Sequence, residues 1–332
     1  MALTHTILVV GGAGYIGSHM VKILLGEGYR VVTLDNLSTG YRDAVVGGEF
    51  IEANLADPAT LEQTFREREI DAVMHFASFI QVGESVKEPS KYYANNVTNT
   101  LNLLDAMVRH GVKRFIFSSN AAVYGNPIAV PIPEDHPKLP NNSYGRTKWM
   151  VEQILEDYDH AYGLKSVSLR YFNAAGADPE GQLGERHDPE THLIPLLLRA
   201  ASGRAQDIKV FGHDYDTPDG TCIRDYVHIV DLCEAHRLAL DYLLNGGARA
   251  VYNLGNGNGF SVAEVIAASE RVTGRKIAVI DAPRREGDPP RLVADATRAR
   301  GELGWQPQFD KLDAMIAHAW HWEQLSQALR NN

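Results

Sequence analysis

The sequence is poor in the features that mark several large classes of protein. Only two of its 332 residues are cysteines, Cys222 and Cys233, which excludes a disulfide framework. Neither lies in a spacing typical of metal ligands, so we expect buried or half-buried thiols. No apolar stretch approaches the ~20 residues of a membrane-spanning helix, and residues 1–6 lack the charged segment of a secretion signal. A cytoplasmic protein without a membrane partner is therefore expected.

Positive charge is also scarce. The formal net charge of -10 argues against a general binder of nucleic acid or anionic membranes, although it allows a local basic pocket for an anionic substrate. The 13 histidines show no close ligand-type cluster, so no metal site is expected. With 44% hydrophobic and 22% charged residues, the chain has an ordinary globular composition and room for one large or two moderate domains.

A glycine-rich turn follows the first apolar run. Residues 7–10 read as a strand buried on both faces, and Gly11, Gly14 and Gly17 then form a G-x-x-G-x-x-G pattern. The apolar residues after the turn recur at helical spacing: Ile16, Met20, Ile23 and Leu24. A strand, a glycine turn and a helix in this order predict the phosphate site of a dinucleotide-binding fold.

An acidic residue stands at the end of the second predicted strand, residues 30–34. A carboxylate at Asp35 would accept hydrogen bonds from the adenosine ribose and repel a 2′-phosphate, so NAD is favoured over NADP. Asn36, Ser38 and Thr39 follow in a polar loop. They either help to hold the ribose or are merely turn formers.

Strands and helices alternate along the first half of the chain. This alternation predicts an α/β fold of the Rossmann type, a doubly wound parallel sheet in which ligands gather at the carboxyl ends of the strands. Further strands are expected at 49–53, 71–76, 114–118 and 166–170, with helices at 58–68, from Pro89 to about Gly111, and from Tyr144 to about Gly163. The strand ends then bring together the glycine turn, Asp35, Asn54, Phe76 with Ala77, and Ser118, Ser119 and Asn120.

Tyr144 and Lys148 are four residues apart, so they lie on one face of the predicted helix. A phenol has a pKa of about 10 and is a poor base at neutral pH, but a nearby ammonium lowers that pKa. The pair is a candidate proton-transfer device. The spacing gains weight from the dinucleotide signature that precedes it.

The amino-acid composition of the chain changes after Ala174. Residues to Pro189 are rich in Gly, Asp, His and Pro, which suggests a loop leaving the sheet for a smaller α/β lobe. We expect an NAD-binding domain at 1–173 and a mainly substrate-binding domain at 174–332, with part of 225–255 returning to the first. Ser261 and Glu264 form a capping-box pattern, and the tail with Trp305, Trp320 and Trp322 reads as packed helix.

With these residues in view, the chain resembles an extended short-chain dehydrogenase/reductase and, more narrowly, the UDP-glucose (UDP-galactose) 4-epimerases. The resemblance runs nearly end to end, and its last three motifs together are the most specific for nucleotide-sugar enzymes. It rests on Gly11-Gly12-Ala13-Gly14-Tyr15-Ile16-Gly17-Ser18-His19, Asp35-Asn36-Leu37, His75-Phe76-Ala77, Val82-Gly83-Glu84-Ser85-Val86, Tyr144-Gly145-Arg146-Thr147-Lys148, Leu169-Arg170-Tyr171-Phe172-Asn173, Arg224-Asp225-Tyr226-Val227-His228 and Arg284-Arg285-Glu286-Gly287-Asp288.

The resemblance implies NAD as cofactor, a UDP-sugar as substrate, and a role for each matching residue. Tyr144 would be the acid/base, with Lys148 holding the nicotinamide ribose and lowering the tyrosine pKa. The implied cofactor residues are Gly11, Gly14, Tyr15, Ile16, Gly17, Asp35, Asn36, Ser38, Thr39, Asn54, Leu55, Phe76, Ala77, Asn95, Ser118, Tyr144, Lys148 and Tyr171. The implied substrate residues are Asn120, Tyr144, Phe172, Asn173, His192, Leu193, Arg224, Tyr226, Arg285, Asp288 and Leu292, with the two arginines on the diphosphate and Asp288 on the uridine ribose.

Some positions depart from the family pattern. Asn120 stands where Ser or Thr is usual; it can donate a hydrogen bond to a sugar hydroxyl but cannot relay a proton, which leaves Tyr144 as the direct base and Ser119 as a stand-in. Asn54 replaces a frequent Asp, Ile80 a Lys, and His192 an Asn beside the substrate. Leu292 is less bulky than the Tyr of some members, so N-acetylated sugars would fit.

The implied activity is NAD-dependent 4-epimerisation of a UDP-hexose through a 4-keto sugar. A 4,6-dehydratase would need an adjacent Asp-Glu where the chain has Asn120-Ala121-Ala122. A 4-epimerase of UDP-N-acetylglucosamine, UDP-glucuronate or a UDP-pentose, and a non-catalytic NAD-binding protein, remain as alternatives. Relatives form homodimers through two helices, here 89–110 and 144–162. Leu101, Leu104, Ala106 and Val108 could form that seam or could face the sheet.

Overall fold

A seven-stranded parallel sheet organises the molecule. The computed structural model describes residues 5–285 and 288–331. The strands are β1 (Thr6–Val10), β2 (Arg30–Asp35), β3 (Glu49–Glu52), β4 (Ala72–His75), β5 (Arg114–Asn120), β6 (Lys165–Tyr171), β7 (Asn173–Ala175), β8 (Ile208–Phe211), β9 (Ile223–Arg224), β10 (Tyr226–His228), β11 (Ala250–Leu254), β12 (Phe260–Ser261), β13 (Val279–Ala282) and β14 (Arg291–Leu292). The helices are α1 (Tyr15–Gly26), α2 (Pro58–Arg66), α3 (Val82–Lys87), α4 (Pro89–Tyr93), α5 (Asn99–Arg109), α6 (Ser143–Tyr162), α7 (Leu193–Ala201), α8 (Ile229–Leu244), α9 (Val262–Thr273), α10 (Thr297–Glu302) and α11 (Leu312–Asn331).

The large sheet has the strand order β11-β6-β5-β4-β1-β2-β3, and each neighbouring pair is parallel. This confirms the predicted Rossmann-type fold. The apolar run of β1 is continuous because both of its faces are covered. Ile7 and Val9 pack on the side of α1 and α8, whereas Leu8 and Val10 pack on the side of α2, α5 and α6.

The rest of the chain forms a smaller α/β part. Three small sheets pair β7 with β10, β8 with β13, and β9 with β12 and β14. The helices α7, α9 and α11 pack around Leu197, Val265 and Ile316. Between them the chain passes through α8 and returns to the large sheet, where β11 pairs with β6. Ser261 caps α9 with Glu264 in a full capping box, as predicted.

The predicted helix from Pro89 to Gly111 is interrupted. It consists of α4, a π-helical turn at Ala94–Thr98, and α5. The turn bulges where Asn96 is buried and its side chain hydrogen-bonds the backbone of Phe79 and the hydroxyl of Thr147. Such an insertion has no periodicity signal in a single sequence.

The structure decides between two alternatives for α5 and corrects one expectation for the tail. Leu104 and Ala106 are fully buried against the sheet, which removes them from any seam on the outer surface of α5. Trp305 is fully buried but lies outside the helices, and its indole N–H donates to the carbonyl of Asp231. Trp320 lies in α11 as predicted.

Candidate active site

The glycine turn joins β1 to α1 with very little clearance. A Cβ atom added at Gly17 would lie 2.1 Å from the carbonyl oxygen of Gly11, so only glycine allows α1 to start this close to the strand. Gly14 caps the helix without a side-chain hydrogen bond, and the first turn of α1 contains no acidic residue. The first amide groups of a helix have no intrahelical acceptor. They are therefore available to an anion, as the dinucleotide prediction requires.

Asp35 holds the turn from the end of β2. Its Oδ2 accepts from the amide of Ala13 at 2.9 Å and its Oδ1 from that of Leu37 at 2.8 Å. Each oxygen keeps a lone pair for a ribose hydroxyl. Together, the uncapped helix and this carboxylate fit the diphosphate and adenosine ribose of NAD.

The polar residues beyond β2 and β3 lie at the surface. Asn36 accepts from the amide of Ser38 at 3.1 Å, and Asn54 accepts from the amide of Ala56 at 2.9 Å. Both side chains thus shape their own loops, which is what turn formers do. Thr39 is exposed, and Leu55 is buried beneath the loop. Their contacts with a nucleotide stay a prediction.

Tyr144 and Lys148 lie in the first turns of α6, as predicted. Gly145 allows this helix to approach the chain after β5, because a Cβ there would lie 2.4 Å from the carbonyl oxygen of Ala122. The Lys148 ammonium donates to the Ser118 carbonyl at 2.8 Å and to the Ser78 hydroxyl at 2.9 Å. It also lies 5.8 Å from the centre of the Tyr144 ring.

The expected fall in the tyrosine pKa is not found. Burial raises the pKa of Tyr144 well above its ordinary value, and the nearby phenols of Tyr171 and Tyr92 add to the effect. Burial likewise lowers the pKa of Lys148 to about 7, against a smaller opposing influence of Glu152. Desolvation outweighs the attraction between the two groups in the protein alone.

Ser119 cannot stand in as a proton relay, contrary to the sequence-based hypothesis. Its hydroxyl is fully buried and donates to Oε1 of Glu152 at 2.5 Å. Alternation along β5 sends Ser119 to the opposite face from Ser118 and Asn120. The side chain of Asn120 accepts from the amide of Ala122 at 2.8 Å and donates to the carbonyl of Tyr171 at 3.2 Å.

The remaining predicted cofactor residues lie at the ends of β4 and β6 and in the π-helical turn. Phe76 and Tyr171 both contact the His236 ring, with ring centres 5.1 and 6.1 Å from it. Ala77 follows Phe76 directly, where the turn at Gly11 approaches its amide. Asn95 lies in the π-helical turn, and its amide donates to Asn96 at 2.9 Å.

The predicted substrate residues lie mainly in the smaller part. Arg224 and Asp288 form an ion pair with each other, and the Arg285 guanidinium lies 4.1 Å above the Phe211 ring. Glu286 and Gly287, which belong to the motif around Arg285, lie outside the described residues. Asn173 donates to the Asp225 carbonyl at 2.8 Å.

Other predicted substrate residues pack in or against apolar clusters. Phe172 is buried next to Leu292 in a cluster with Ala121. Tyr226 packs in the core of the smaller part, and Leu193 borders that core at the start of α7. The contacts of these residues with a sugar nucleotide stay predictions.

The expectation that the histidines form no ligand-type cluster is wrong. The donor atoms of Glu185, His187, Glu190 and His192 all lie within 4.8 Å of one another. The carboxylates of Glu185 and Glu190 raise the pKa of His187 to about 10 despite its burial, and Glu185 in particular raises that of His192. The E-x-H-x-x-E-x-H spacing of residues 185–192 was the sequence signal for this cluster.

Three residues that contact the predicted machinery were missed. Ser78 accepts from Lys148, Asn96 fixes the loop after β4, and Glu152 connects Ser119 to Arg170. Glu152 is four residues after Lys148, so it continues the same helical face. That spacing could have identified it, whereas the other two need the folded chain.

Comparison with known proteins identifies the family. Residues 7–255 match the model of the NAD dependent epimerase/dehydratase family. The chain is 52% identical to the UDP-glucose 4-epimerase of Rhizobium leguminosarum bv. trifolii over 96% of this chain and 97% of that protein. It superposes with a TM-score of 0.94 on the UDP-glucose 4-epimerase from Brucella ovis in complex with NAD, at 50% identity, covering 96% of this chain and 98% of that one.

A third comparison involves a relative named for two sugars. The UDP-Glc/GlcNAc 4-epimerase from Campylobacter jejuni superposes with a TM-score of 0.85 at 43% identity, covering 97% of this chain and 99% of that one. Within residues 5–285 and 288–331, none of the helices combines the length and apolarity that crossing a membrane requires. NAD is the cofactor, and the chain belongs to the NAD dependent epimerase/dehydratase family.

Proposed function

We propose that the protein interconverts UDP-glucose and UDP-galactose by inverting carbon 4 of the hexose through a transient 4-keto sugar. The observation that carries this proposal is the placement of Tyr144 and Lys148 on one face of α6 at the carboxyl ends of β4 and β5. The matches to relatives extend over nearly the whole chain, and the names of these relatives support a UDP-hexose as the substrate.

Tyr144 takes the proton of the hydroxyl group on carbon 4 and later returns it. NAD, when bound, supplies a reversible hydride acceptor for that carbon. The Lys148 ammonium lies 5.8 Å from the centre of the Tyr144 ring and, when protonated, favours the phenolate form of that tyrosine. Lys148 therefore offsets part of the burial penalty on Tyr144, and general acid-base help of this kind is worth about 10²–10⁴-fold in rate.

The smaller part grips the nucleotide and leaves the hexose free to turn over. Arg224 and Asp288 neutralise each other in the protein alone, and we propose that binding separates them, with Arg224 on the diphosphate and Asp288 on the uridine ribose. Arg285 is exposed above Phe211 and would close on the same diphosphate. Residues 1–173 would then hold NAD, and residues 174–332 would provide most of the substrate contacts.

The residue at position 292, which is predicted to lie near the hexose, favours a second substrate. Leu292 packs against the cluster that contains Phe172 and Ala121. A leucine there leaves more room than a tyrosine would, so we propose that UDP-N-acetylglucosamine is also accepted. The Campylobacter jejuni relative is named for both sugars.

The proposed enzyme acts as a homodimer. With Leu104 and Ala106 buried and Val108 packed against the same core, α5 offers the half-buried Leu101, and α6 offers the exposed Met150. Light scattering after size-exclusion chromatography should give twice the chain mass. A single-chain mass at micromolar concentration would contradict this assembly.

The experiment is incubation of the purified protein, without added cofactor, with UDP-glucose and separately with UDP-N-acetylglucosamine. Chromatography of the products should show the galacto epimer from each sugar. The Tyr144→Phe variant keeps the ring but loses the proton-transferring hydroxyl, so it should bind UDP and lack turnover. Absence of conversion by the wild type, even with added NAD, would refute the hexose assignment and leave UDP-glucuronate, UDP-pentoses or a non-catalytic role.

A further inference from the structure

The four clustered side chains lie on one short segment of the chain, and one of them, His192, is also a predicted substrate residue. They occur in the E-x-H-x-x-E-x-H run of residues 185–192, between β7 and α7. The segment folds back on itself, so residues up to seven positions apart meet at one point. Two imidazoles and two carboxylates are a donor set that suits zinc and neighbouring divalent metals.

The two carboxylates are more deeply buried than surface ion pairs usually are. The Glu185 side chain is 6% exposed and that of Glu190 is 1% exposed. Oε1 of Glu190 accepts from the amides of Thr191 and His192 at 2.8 and 2.9 Å. Its Oε2 is buried and has no hydrogen-bond partner in the described part of the chain, with Arg199 3.8 Å away. Such groups are costly to bury unless something completes their coordination.

One imidazole nitrogen is also buried without a hydrogen-bond partner in the described part of the chain. Nδ1 of His187 lies 3.1 Å from Oε1 of Glu185, yet it is buried and makes no aligned hydrogen bond to any described residue. A ring nitrogen that faces carboxylate oxygens without hydrogen-bonding them is placed as a metal ligand is placed. This observation is independent of the orphaned oxygen of Glu190.

Three separations between donor atoms are close to those of a tetrahedral site. With Zn–N and Zn–O bonds of about 2.0–2.2 Å, tetrahedral donors lie about 3.3–3.5 Å apart. Here Nδ1 of His187 lies 3.1 Å from Oε1 of Glu185 and 3.7 Å from Oε1 of Glu190, and Nδ1 of His192 lies 3.6 Å from Oε1 of Glu190, the oxygen that also accepts from the two amides. The contact between His192 and Glu185 is shorter, at 2.5 Å, and it would have to open. The His192 side chain is 43% exposed, so it is free to shift.

We propose that Glu185, His187, Glu190 and His192 bind one divalent transition-metal ion of the zinc class in a closed, structural site. All four positions are filled by protein donors, which distinguishes such a site from a catalytic one with an open position. The ion's charge of two matches the two buried carboxylates. The competing arrangement is a metal-free ion-pair cluster of protonated imidazoles and carboxylates.

A bound metal would stabilise the segment 185–192 against α1 and α11. The His187 ring packs edge-on against Tyr15 with ring centres 6.4 Å apart, and the Tyr15 hydroxyl donates to the carbonyl of Gly176 at 2.7 Å. The indole of Trp322 in α11 donates to the carbonyl of Glu185 at 3.3 Å. A metal here would therefore fix the start of α7 and the first residue of α1, the helix that is predicted to receive the cofactor phosphates.

The test uses untagged protein, because affinity histidines bind the same metals. The full-length protein is treated with a chelator, desalted and titrated with Co²⁺, followed by Zn²⁺. The proposal predicts one equivalent of Co²⁺ with the intense visible absorption of tetrahedral cobalt, its displacement by Zn²⁺, and a higher melting temperature with metal. The titration measures metal binding and not activity. Its outcome is therefore independent of whether the proposed epimerase reaction is correct.

Matched variants locate the metal. Glu190→Gln and His192→Gln should each weaken Co²⁺ binding by at least about 100-fold, since loss of even an outer partner costs 10–100-fold. His213→Gln is the control, because His213 is a half-exposed histidine paired with Asp281 away from the cluster. It should bind metal as the wild type does.

Two results would overturn the proposal. One is a wild-type protein that shows neither cobalt absorption nor a melting shift, which would establish the metal-free ion-pair cluster. The other is metal binding that survives unchanged in the folded Glu190→Gln and His192→Gln variants. If either variant fails to fold, the wild-type titration alone decides.

Discussion

The buried ion pair behind the active site gives a quantitative test of the packing argument. Glu152 and Arg170 are each 3% exposed, and the guanidinium also donates to Tyr124 and to the carbonyl of Glu134. Replacing one partner of a buried pair leaves an uncompensated charge and costs about 3–5 kcal/mol. The Glu152→Leu variant should lose that much of the free energy of unfolding.

Replacing both partners should restore much of the loss. The double variant Glu152→Leu, Arg170→Met removes both charges and keeps a similar volume, which is often neutral or stabilising relative to the intact pair. We expect it to recover at least half of the deficit, which is about 1.5–2.5 kcal/mol. Urea unfolding followed by tryptophan fluorescence measures both variants. Arg271 and Asp313 form an exposed pair, and Asp313→Asn should change stability by less than about 1 kcal/mol.

Equal losses in the single and double variants would refute this reasoning. So would a loss below about 1 kcal/mol for Glu152→Leu, because the carboxylate would then contribute no more than an exposed partner does. A third informative outcome is a double variant that is stable yet inactive. It would show that the pair positions Lys148, four residues before Glu152, rather than holding the fold.

Four further outcomes follow from the same structure. Gly17→Ala should lose bound NAD, measured by release from the denatured protein, whereas Gly26→Ala in the same helix should not, because a Cβ at Gly26 meets nothing within 4 Å in the described chain. Asp35→Asn should narrow the preference for NAD over NADP in binding titrations, since the repelling carboxylate is gone. Lys148→Met should lower kcat by about 10²–10⁴-fold, with activity displaced to higher pH and partial rescue by Lys148→Arg. Burial lowers the pKa of His75 to about 3, so only the unfolded chain takes up its proton as pH falls below about 6.5. This residue alone should therefore lower the free energy of unfolding by about 2 kcal/mol at pH 5. In thermal melts, the melting temperature of the His75→Gln variant should fall less on acidification than that of the wild type.

Local patterns were sufficient to predict the first half of the fold. The run at β1, the glycine spacing and the proline at the start of α2 each act within a few residues, and the structure has a strand, a turn and a helix there. The face shared by Tyr144 and Lys148 follows from helix geometry alone. Parallel order was predictable because the elements alternate.

What failed depended on contacts between distant residues. The hydroxyl of Ser119 is occupied by Glu152, 33 positions away, and the pairing of Arg224 with Asp288 joins residues 64 positions apart. The pKa of Tyr144 is a balance between burial and charge, and a single sequence does not fix burial. The short strands of the smaller part, such as β9 and β14, carry only two residues each and have no periodicity to detect.

The chemistry at carbon 4 is the central claim, and a solvent-exchange experiment tests it most directly. UDP-galactose is converted to equilibrium by the purified protein in D₂O, and the products are examined by NMR and mass spectrometry. If Tyr144 moves only the hydroxyl proton while carbon 4 exchanges hydride with the bound cofactor, the hydrogen on carbon 4 is retained. No deuterium then becomes bound to a carbon of the sugar, although its hydroxyl groups exchange with the solvent. Deuterium at carbon 4 would show that a proton is removed from the carbon itself, and it would contradict the proposed mechanism.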